Sequence, residues 1–339
     1  MRKYFIRGGV SLNKVRLGII GIGRIGINHA RIATTLDNID LVGYCDIIKE
    51  KANYAGSKYG VKVYYDYKEM VDCVDAVIVC VQTEIHYEIA RFFIENRKHV
   101  LIEKPITINV IEAENLIELA QKKEIVLSCG HVERFNSAVI ALNDIININN
   151  IISISVKRMS PMDYRVKDID VVSDLMIHDI DIILSLMKPY KVINVMAMKS
   201  IVKSDSKERN HADYCVAQLE FENGAIADLT ASRVTEKKIR KLYINELDRF
   251  IEVNYLDKGL TTYKNFTAML GESSICNKDT KYQEESLIQK IFTNSRDSLY
   301  EEQKNFINAI LGLDKLKVTG KDAVEALKIV KRIQEKIYA

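Results

Sequence analysis

The feature that most constrains this chain is a rhythm. From Val15 to Gly130 short β-branched runs alternate with amphipathic stretches: VRLGII, then 24–36; LVGYC, then 49–59; DAVIVCV, then 84–96; HVLIEK, then 109–123; and last IVLSCG. Strand-period runs separated by helix-period ones are the mark of βαβ units, so this part is expected to build a parallel sheet with helices on its faces. After about residue 150 the pattern changes to one polar-flanked helix at 174–187, strands expected at 191–200, 212–221, 225–232, 238–244 and 249–254, and helices at 298–311 and 321–338. That pattern predicts an α+β domain on a mostly antiparallel sheet. The segment 262–288, rich in Lys, Asn, Ser, Glu and Thr, shows little periodicity and reads as a loop or excursion.

A length of 339 residues fits two domains, expected at 15–130 and 131–339, and 47% hydrophobic with 28% charged residues excludes disorder, collagen-like repeats and a coiled-coil rod. The 49 basic and 46 acidic residues leave a net charge of +3, with both signs interleaved, which argues against a nucleic-acid partner. Six cysteines (Cys45, Cys73, Cys80, Cys129, Cys215, Cys276) form no CxxC pair, and several sit in apolar runs, as reduced core residues of a cytoplasmic protein do. No apolar run approaches the ~18–20 residues that cross a bilayer. Met1–Lys14 carries Arg2, Lys3, Arg7 and Lys14 around too short an apolar core for a secretory signal, so neither membrane nor export is expected.

Gly21-Ile22-Gly23-Arg24-Ile25-Gly26 directly follows the strand VRLGII and opens a helix whose expected inner face carries Ile25, Ala30, Ile32 and Ala33. Gly21 lets the chain turn, Gly23 lets backbone approach a pyrophosphate, and Gly26 lets helix and strand close up, while the helix N-terminus offers unbonded N–H groups. Asp46 stands at the end of the next strand, LVGYC. A carboxylate there can accept from the adenosine ribose and would repel a 2′-phosphate, which predicts NAD rather than NADP. FAD and S-adenosylmethionine proteins use related turns, so this motif alone leaves the chemistry open.

Two constellations narrow it. Glu103-Lys104-Pro105 ends the strand HVLIEK, at the carboxyl edge where ligands of open parallel sheets gather, and Pro105 keeps Lys104 extended. In Asp174-Leu-Met-Ile-His178-Asp-Ile-Asp181, a helical ~100° per residue puts Asp174, His178 and Asp181 on one stripe, with Leu175, Met176, Ile180, Ile183 and Leu184 covering the rest. A neutral His178 could take a hydroxyl proton as hydride leaves the same carbon, with Asp174 orienting the ring. Residue by residue the plainer readings stay open: a strand-end lysine, a capping aspartate, a satisfied buried histidine.

Taken together, GIGRIGINHA (21–30), Asp46, VQTEIH (81–86), EKP (103–105), GHVERFN (130–136) and DLMIHDID (174–181) resemble, in order and spacing, the glucose–fructose oxidoreductase, inositol dehydrogenase and rhizopine-catabolism superfamily. The likeness covers almost the whole chain and weakens after about residue 255. It implies a Rossmann domain, a C-terminal open-faced sheet used for oligomerisation, and oxidation of a sugar or cyclitol hydroxyl with a nicotinamide cofactor. It further implies catalytic roles for Lys104, Asp174 and His178. The NAD-binding set is then Gly21, Gly23, Arg24, Ile25, Gly26, Asp46, Thr83, His86, Glu103 and Lys104, and no metal is expected.

Within that superfamily, GHVERFN followed by VKRMSP (156–161), Arg165 and DLMIHDID is most similar to enzymes that oxidise the 3-hydroxyl of UDP-N-acetylglucosamine, which supply a 3-keto sugar nucleotide for transamination. Arg134, Arg158 and Arg165 offer guanidinium forks suited to a diphosphate, the alternative for each being a solvated surface arginine. With Lys104, Asn136, Asp174 and His178 they complete the expected substrate-binding set. Gln82 departs from the family, where proline is commoner. The competing readings are an inositol or simple-sugar dehydrogenase and a non-catalytic NAD-sensing regulator; a DNA-binding repressor would need a basic helix or tail that is absent. A homodimer or homotetramer through the C-terminal sheet is expected, its alternating Ala225, Ala227, Leu229 and Ala231 needing cover.

Overall fold

The computed structural model describes residues 14–162, 169–267, 284–293 and 297–339. The chain forms two compact units: residues up to Val132 together with Asp297–Val324, and Glu133–Arg296 together with Glu325–Ala339. It leaves the first unit close to the expected boundary. It then returns to that unit for 297–324, so the expected continuous 131–339 domain is interrupted.

In the first unit six strands, β1 (Val15–Ile20), β2 (Ile39–Cys45), β3 (Lys62–Tyr64), β4 (Ala76–Val79), β5 (His99–Ile102) and β6 (Leu127–Cys129), alternate with helices α1 (Arg24–Ala33), α2 (Lys49–Tyr59), α3 (His86–Glu95) and α4 (Val110–Lys123). All strand pairs are parallel, in the order β3-β2-β1-β4-β5-β6. Every residue of β4 is buried, as a central strand covered on both faces must be. The strand order reverses between β1 and β4. That reversal opens a crevice at the carboxyl ends of the strands, and the glycine turn follows β1 there.

The second unit is an eight-stranded sheet of β7 (Ile151–Met159), β8 (Val192–Ser200), β9 (Tyr214–Phe221), β10 (Ile226–Ser232), β11 (Ile239–Glu246), β12 (Phe250–Asn254), β13 (Gly259–Thr267) and β14 (Glu284–Phe292), with helices α5 (Ser137–Ile145), α6 (Ile177–Leu186) and α7 (Ser204–Glu208). Its order is β14-β13-β12-β11-β7-β10-β9-β8, and only the β7–β10 pair is parallel. β7 lies in the middle of this sheet, where the sequence pattern predicts no strand. Its alternation is disguised by Arg158, a charge on the buried face, 2% exposed. β13 and β14 pair across the segment read as an excursion, and residues 268–283 of that segment lie outside the described residues. Ala225, Ala227, Leu229 and Ala231 are buried in the core rather than on an open face. The helix expected at 174–187 is divided: Val172–Met176 is a π-turn, and α6 follows it directly.

The returning segment supplies α8 (Ser298–Ile310), whose Phe306 and Ile307 fill the core of the first unit. The final helix α9 (Gly320–Tyr338) places Ala326, Ile329, Val330 and Ile333 in the core of the second. Among the described residues no helix is long and apolar enough to cross a membrane. Cys45, Cys73, Cys80 and Cys215 are free thiols, and Cys276 lies outside the described residues.

Candidate active site

In the first unit the site grows from the turn after β1. Gly21 has φ +87°, and a Cβ there would stand 2.7 Å from the Cys80 carbonyl oxygen. A Cβ on Gly26 would overlap the Gly21 carbonyl oxygen, whereas one on Gly23 would meet nothing within 4 Å. The turn is thus closed behind and open in front, at the start of α1, whose N-cap Gly23 offers no side chain to the helix N–H groups. Those donors and the helix dipole suit a pyrophosphate. Arg24 and Ile25 are exposed at this opening; Ile25 therefore does not join the inner face, which is formed by Gly26, His29, Ala30, Ile32 and Ala33.

Asp46 follows β2 and is half-buried. Its Oδ2 accepts from the Ile22 N–H at 2.8 Å and its Oδ1 from Ile48 N–H at 2.8 Å, so the carboxylate is anchored to the glycine turn itself. These residues fit the nicotinamide dinucleotide: open backbone for the pyrophosphate, and an anchored acceptor for the ribose.

After β4, Thr83 opens a short 3-10 turn, Thr83–Ile85, and α3 follows. Gln82 has φ −68°, the angle a proline would impose, so the departure from the family leaves the backbone as proline would set it. His86 is buried, with Nδ1 2.9 Å from the Pro105 carbonyl and Nε2 3.2 Å from that of Val81. Burial pushes its pKa below the ordinary imidazole value despite these carbonyls. It brackets two loops rather than presenting its ring to a cofactor.

Glu103 and Lys104 end β5, and the Lys104–Pro105 bond is cis. Glu103 Oε1 lies 2.8 Å from Nε2 of the buried His29, and Gln303 Nε2 on α8 lies 2.9 Å from His29 Nδ1. An amide donor at Nδ1 assigns the ring hydrogen to Nε2, which donates to Glu103. Burial alone would raise the Glu103 carboxyl, but the His29 hydrogen bond and the neighbouring Lys104 hold it below the ordinary range. Gly130 makes room for this carboxylate: a Cβ there would come within 2.8 Å of Glu103 Oε2. Glu103 Oε2 in turn accepts from the Lys104 N–H at 3.1 Å, and the Lys104 side chain is half-buried. His29, Gln303 and Glu302 were not singled out from sequence, and the one local sign was a histidine on the buried face of α1. His29, Glu103 and Glu302 hold ligand atoms within 4.8 Å of one another, but Glu103 and Gln303 engage both imidazole nitrogens, so the trio reads as a support for Glu103.

In the second unit Asp174 sits within the π-turn and His178 in the first turn of α6, both half-buried. Asp179 and Asp181 are buried instead, so the expected stripe divides. Arg158 donates from Nε and Nη2 to Asp179 at 2.6 and 2.9 Å and from Nη1 to Glu133 at 2.9 Å. Arg134 donates from Nε and Nη2 to Asp181 at 2.6 and 2.9 Å and from Nη1 to Ser185 at 2.6 Å. All three nitrogens of each guanidinium are thus taken by their own unit. This departs from the diphosphate role expected of both arginines, and the cause is the acidic partners that the fold brings to them. Asn136 is also committed: Oδ1 caps α5 through the Ala138 N–H, and Nδ2 donates to Glu133 and to the Tyr255 carbonyl. Glu133 is held below the ordinary carboxyl range, burial being outweighed by Arg158 and Arg240. Arg165 lies outside the described residues.

A model of an oxidoreductase family with an NAD-binding Rossmann fold matches residues 15–131, and a model of the GFO/IDH/MocA C-terminal domain matches 158–251. The chain is 30% identical over 296 residues to UDP-N-acetylglucosamine 3-dehydrogenase of Acidithiobacillus ferrooxidans, across 87% of this chain and 88% of that one. It is 29% identical over 325 residues to myo-inositol 2-dehydrogenase of Thermotoga maritima, across 92% and 93%. A solved structure of the Acidithiobacillus enzyme superposes with a TM-score of 0.84 at 26% identity, covering 96% of this chain and 98% of that one.

Proposed function

The chain belongs to the GFO/IDH/MocA family of NAD-dependent sugar dehydrogenases, and on that premise we propose that it oxidises the 3-hydroxyl of a UDP-N-acetylhexosamine, UDP-N-acetylglucosamine, to the 3-keto sugar nucleotide. Bound NAD supplies the acceptor for the hydrogen that leaves the carbinol carbon with its electron pair. The chain's own residues do the rest. His178 takes the hydroxyl proton; we assign it to Nε2 because Nδ1 is sealed inside the unit. Asp174, one turn earlier, favours the imidazolium that forms. Lys104, its backbone held by Glu103, holds the hydroxyl and stabilises developing alkoxide charge. The observation that carries the chemistry is the contrast along one helix: Asp174 and His178 keep solvent access while Asp179 and Asp181 are buried and spent on arginines.

The choice of sugar nucleotide is supported by the UDP-N-acetylglucosamine relative, alike in sequence and fold along nearly its whole length. With Arg134 and Arg158 engaged elsewhere, Arg165 is the expected guanidinium that remains for the diphosphate. The same engagement, with the myo-inositol relative, favours as second reading an inositol or simple-sugar dehydrogenase. A non-catalytic NAD sensor would have no use for Lys104, Asp174 and His178 together.

The test is NAD reduction by the purified protein with UDP-N-acetylglucosamine, UDP-N-acetylgalactosamine, myo-inositol and glucose as substrates. We expect turnover of a UDP-N-acetylhexosamine, competition by UDP, and a product lighter by two hydrogens. Efficient oxidation of myo-inositol with no effect of UDP establishes the second reading.

A further inference from the structure

The second unit places two buried arginine–carboxylate clamps on either side of His178. In α6 the side chains of residues 179 and 181 point about 100° to one side and about 60° to the other of residue 178. Arg158, on β7 in the middle of the sheet, grips Asp179 with two nitrogens, and Arg134, in the 3-10 turn Val132–Phe135, grips Asp181 with two. The third nitrogen of each is also held, by Glu133 and by Ser185. Glu133 receives Arg240 as well, at 3.1 Å, so the two arginines are joined through neighbouring residues 133 and 134.

The helix has particular need of such clamps. It starts from the π-turn Val172–Met176, a turn wider than α by about one residue. Relaxation of that turn to α geometry would rotate everything after it by about 100°, carrying His178 off its present direction. Neither Asp179 nor Asp181 can follow that rotation without breaking a bidentate pair in a buried setting, where the separated charges are costly. We propose that Arg134 and Arg158 are positioning residues for His178, locking the rotation of α6 over its π-turn, and not ligands of the substrate diphosphate. This inference rests on the assignment of His178 as the base.

Arg134→Lys, Arg158→Lys and Asp181→Asn, which keeps the shape of the side chain, test it together with His178→Ala. Each clamp variant is expected to lower kcat by about 10²-fold, the scale of a misaligned catalytic group, with KM and UDP inhibition within about twofold and NAD binding unchanged. In the His178→Ala background the same substitutions are expected to cost nothing further in kcat, a coupling that a general loss of structure does not produce. Weakening of UDP by about tenfold or more with kcat retained overturns the inference in favour of diphosphate binding, and so does a full additional loss in the His178→Ala background. If Arg158→Lys does not fold, Arg134→Lys and Asp181→Asn at the more accessible clamp decide. Failure of the underlying reading looks different: His178→Ala alone then leaves turnover intact, or the unmodified enzyme ignores UDP.

Discussion

Asp46 is part of the turn and is the residue proposed to hold the cofactor ribose. Its two oxygens take the N–H groups of Ile22 and Ile48, which fixes the carboxylate beside the glycine turn while lone pairs remain for ribose hydroxyls. Asp46→Ala is therefore expected to weaken NAD, by about tenfold or more for a charge-assisted contact, and to narrow its preference over NADP, as read by titration with both dinucleotides. Tighter NADP binding by the unmodified protein contradicts the assignment. At the reacting carbon, His178→Ala should lower kcat by about 10²–10⁴-fold with NAD affinity little changed, and Lys104→Ala by a similar factor. Near-normal turnover in His178→Ala with loss in Lys104→Ala makes Lys104 the base. As candidates these positions stand out in the sequence because their neighbours mark them: a glycine pattern, a strand end, a spacing of four. The partners of Arg134, Arg158 and Asn136 do not. Whether an arginine meets a phosphate or a carboxylate depends on residues far along the chain, and Asp179 and Asp181 sat in the quoted motif without any local sign that they were partners.

Two histidines tie the strand connections of the first unit. His99 Nδ1 accepts the Val126 N–H at 3.0 Å, which requires an unprotonated nitrogen, and His86 lies between the Val81 and Pro105 carbonyls. Burial lowers both pKa values from the ordinary 6.5. With the folded value below the unfolded one, the unfolded chain binds more protons in this window. Their stabilisation is therefore complete above about pH 7 and is lost as pH falls through 6.5 toward the folded values, at no more than about 1.4 kcal/mol per pH unit for each ring. Thermal melts between about pH 7.5 and pH 5.5 should show Tm falling, and His99→Gln should flatten that dependence. An unchanged slope in the variant removes His99 from the account. Elements with a clean period, β1, β2, α1 and the strands from β8 to β12, were readable in advance. β7 was hidden by a buried arginine. The π-turn was hidden because 100° per residue and the smaller rotation per residue of a wider turn both place Asp174 and His178 on nearly the same stripe.

At the scale of the molecule, the sheet of the second unit keeps large apolar side chains in the open among polar ones. Met198 is 74% exposed, Met196 57% and Ile226 51%, on strands whose opposite faces are in the core. We expect a homodimer or homotetramer through this face, with light scattering at micromolar concentration giving at least twice the 38.7 kDa of the chain. A monomer, or Met196→Lys with Met198→Lys leaving the assembly unchanged, argues against it. The residues expected on that face, Ala225 to Ala231, proved to be its inner side, since alternation marks two faces of a strand without saying which is covered. Local sequence was sufficient for the parallel sheet, the dinucleotide turn and the family, because each is written in residues within a few turns of one another. Three-dimensional folding alone established the return of 297–324 to the first unit, the support of Glu103 by His29 and Gln303, and the engagement of Arg134 and Arg158 by Asp181 and Asp179. Those are pairings between distant segments, and burial, not spacing, selects them.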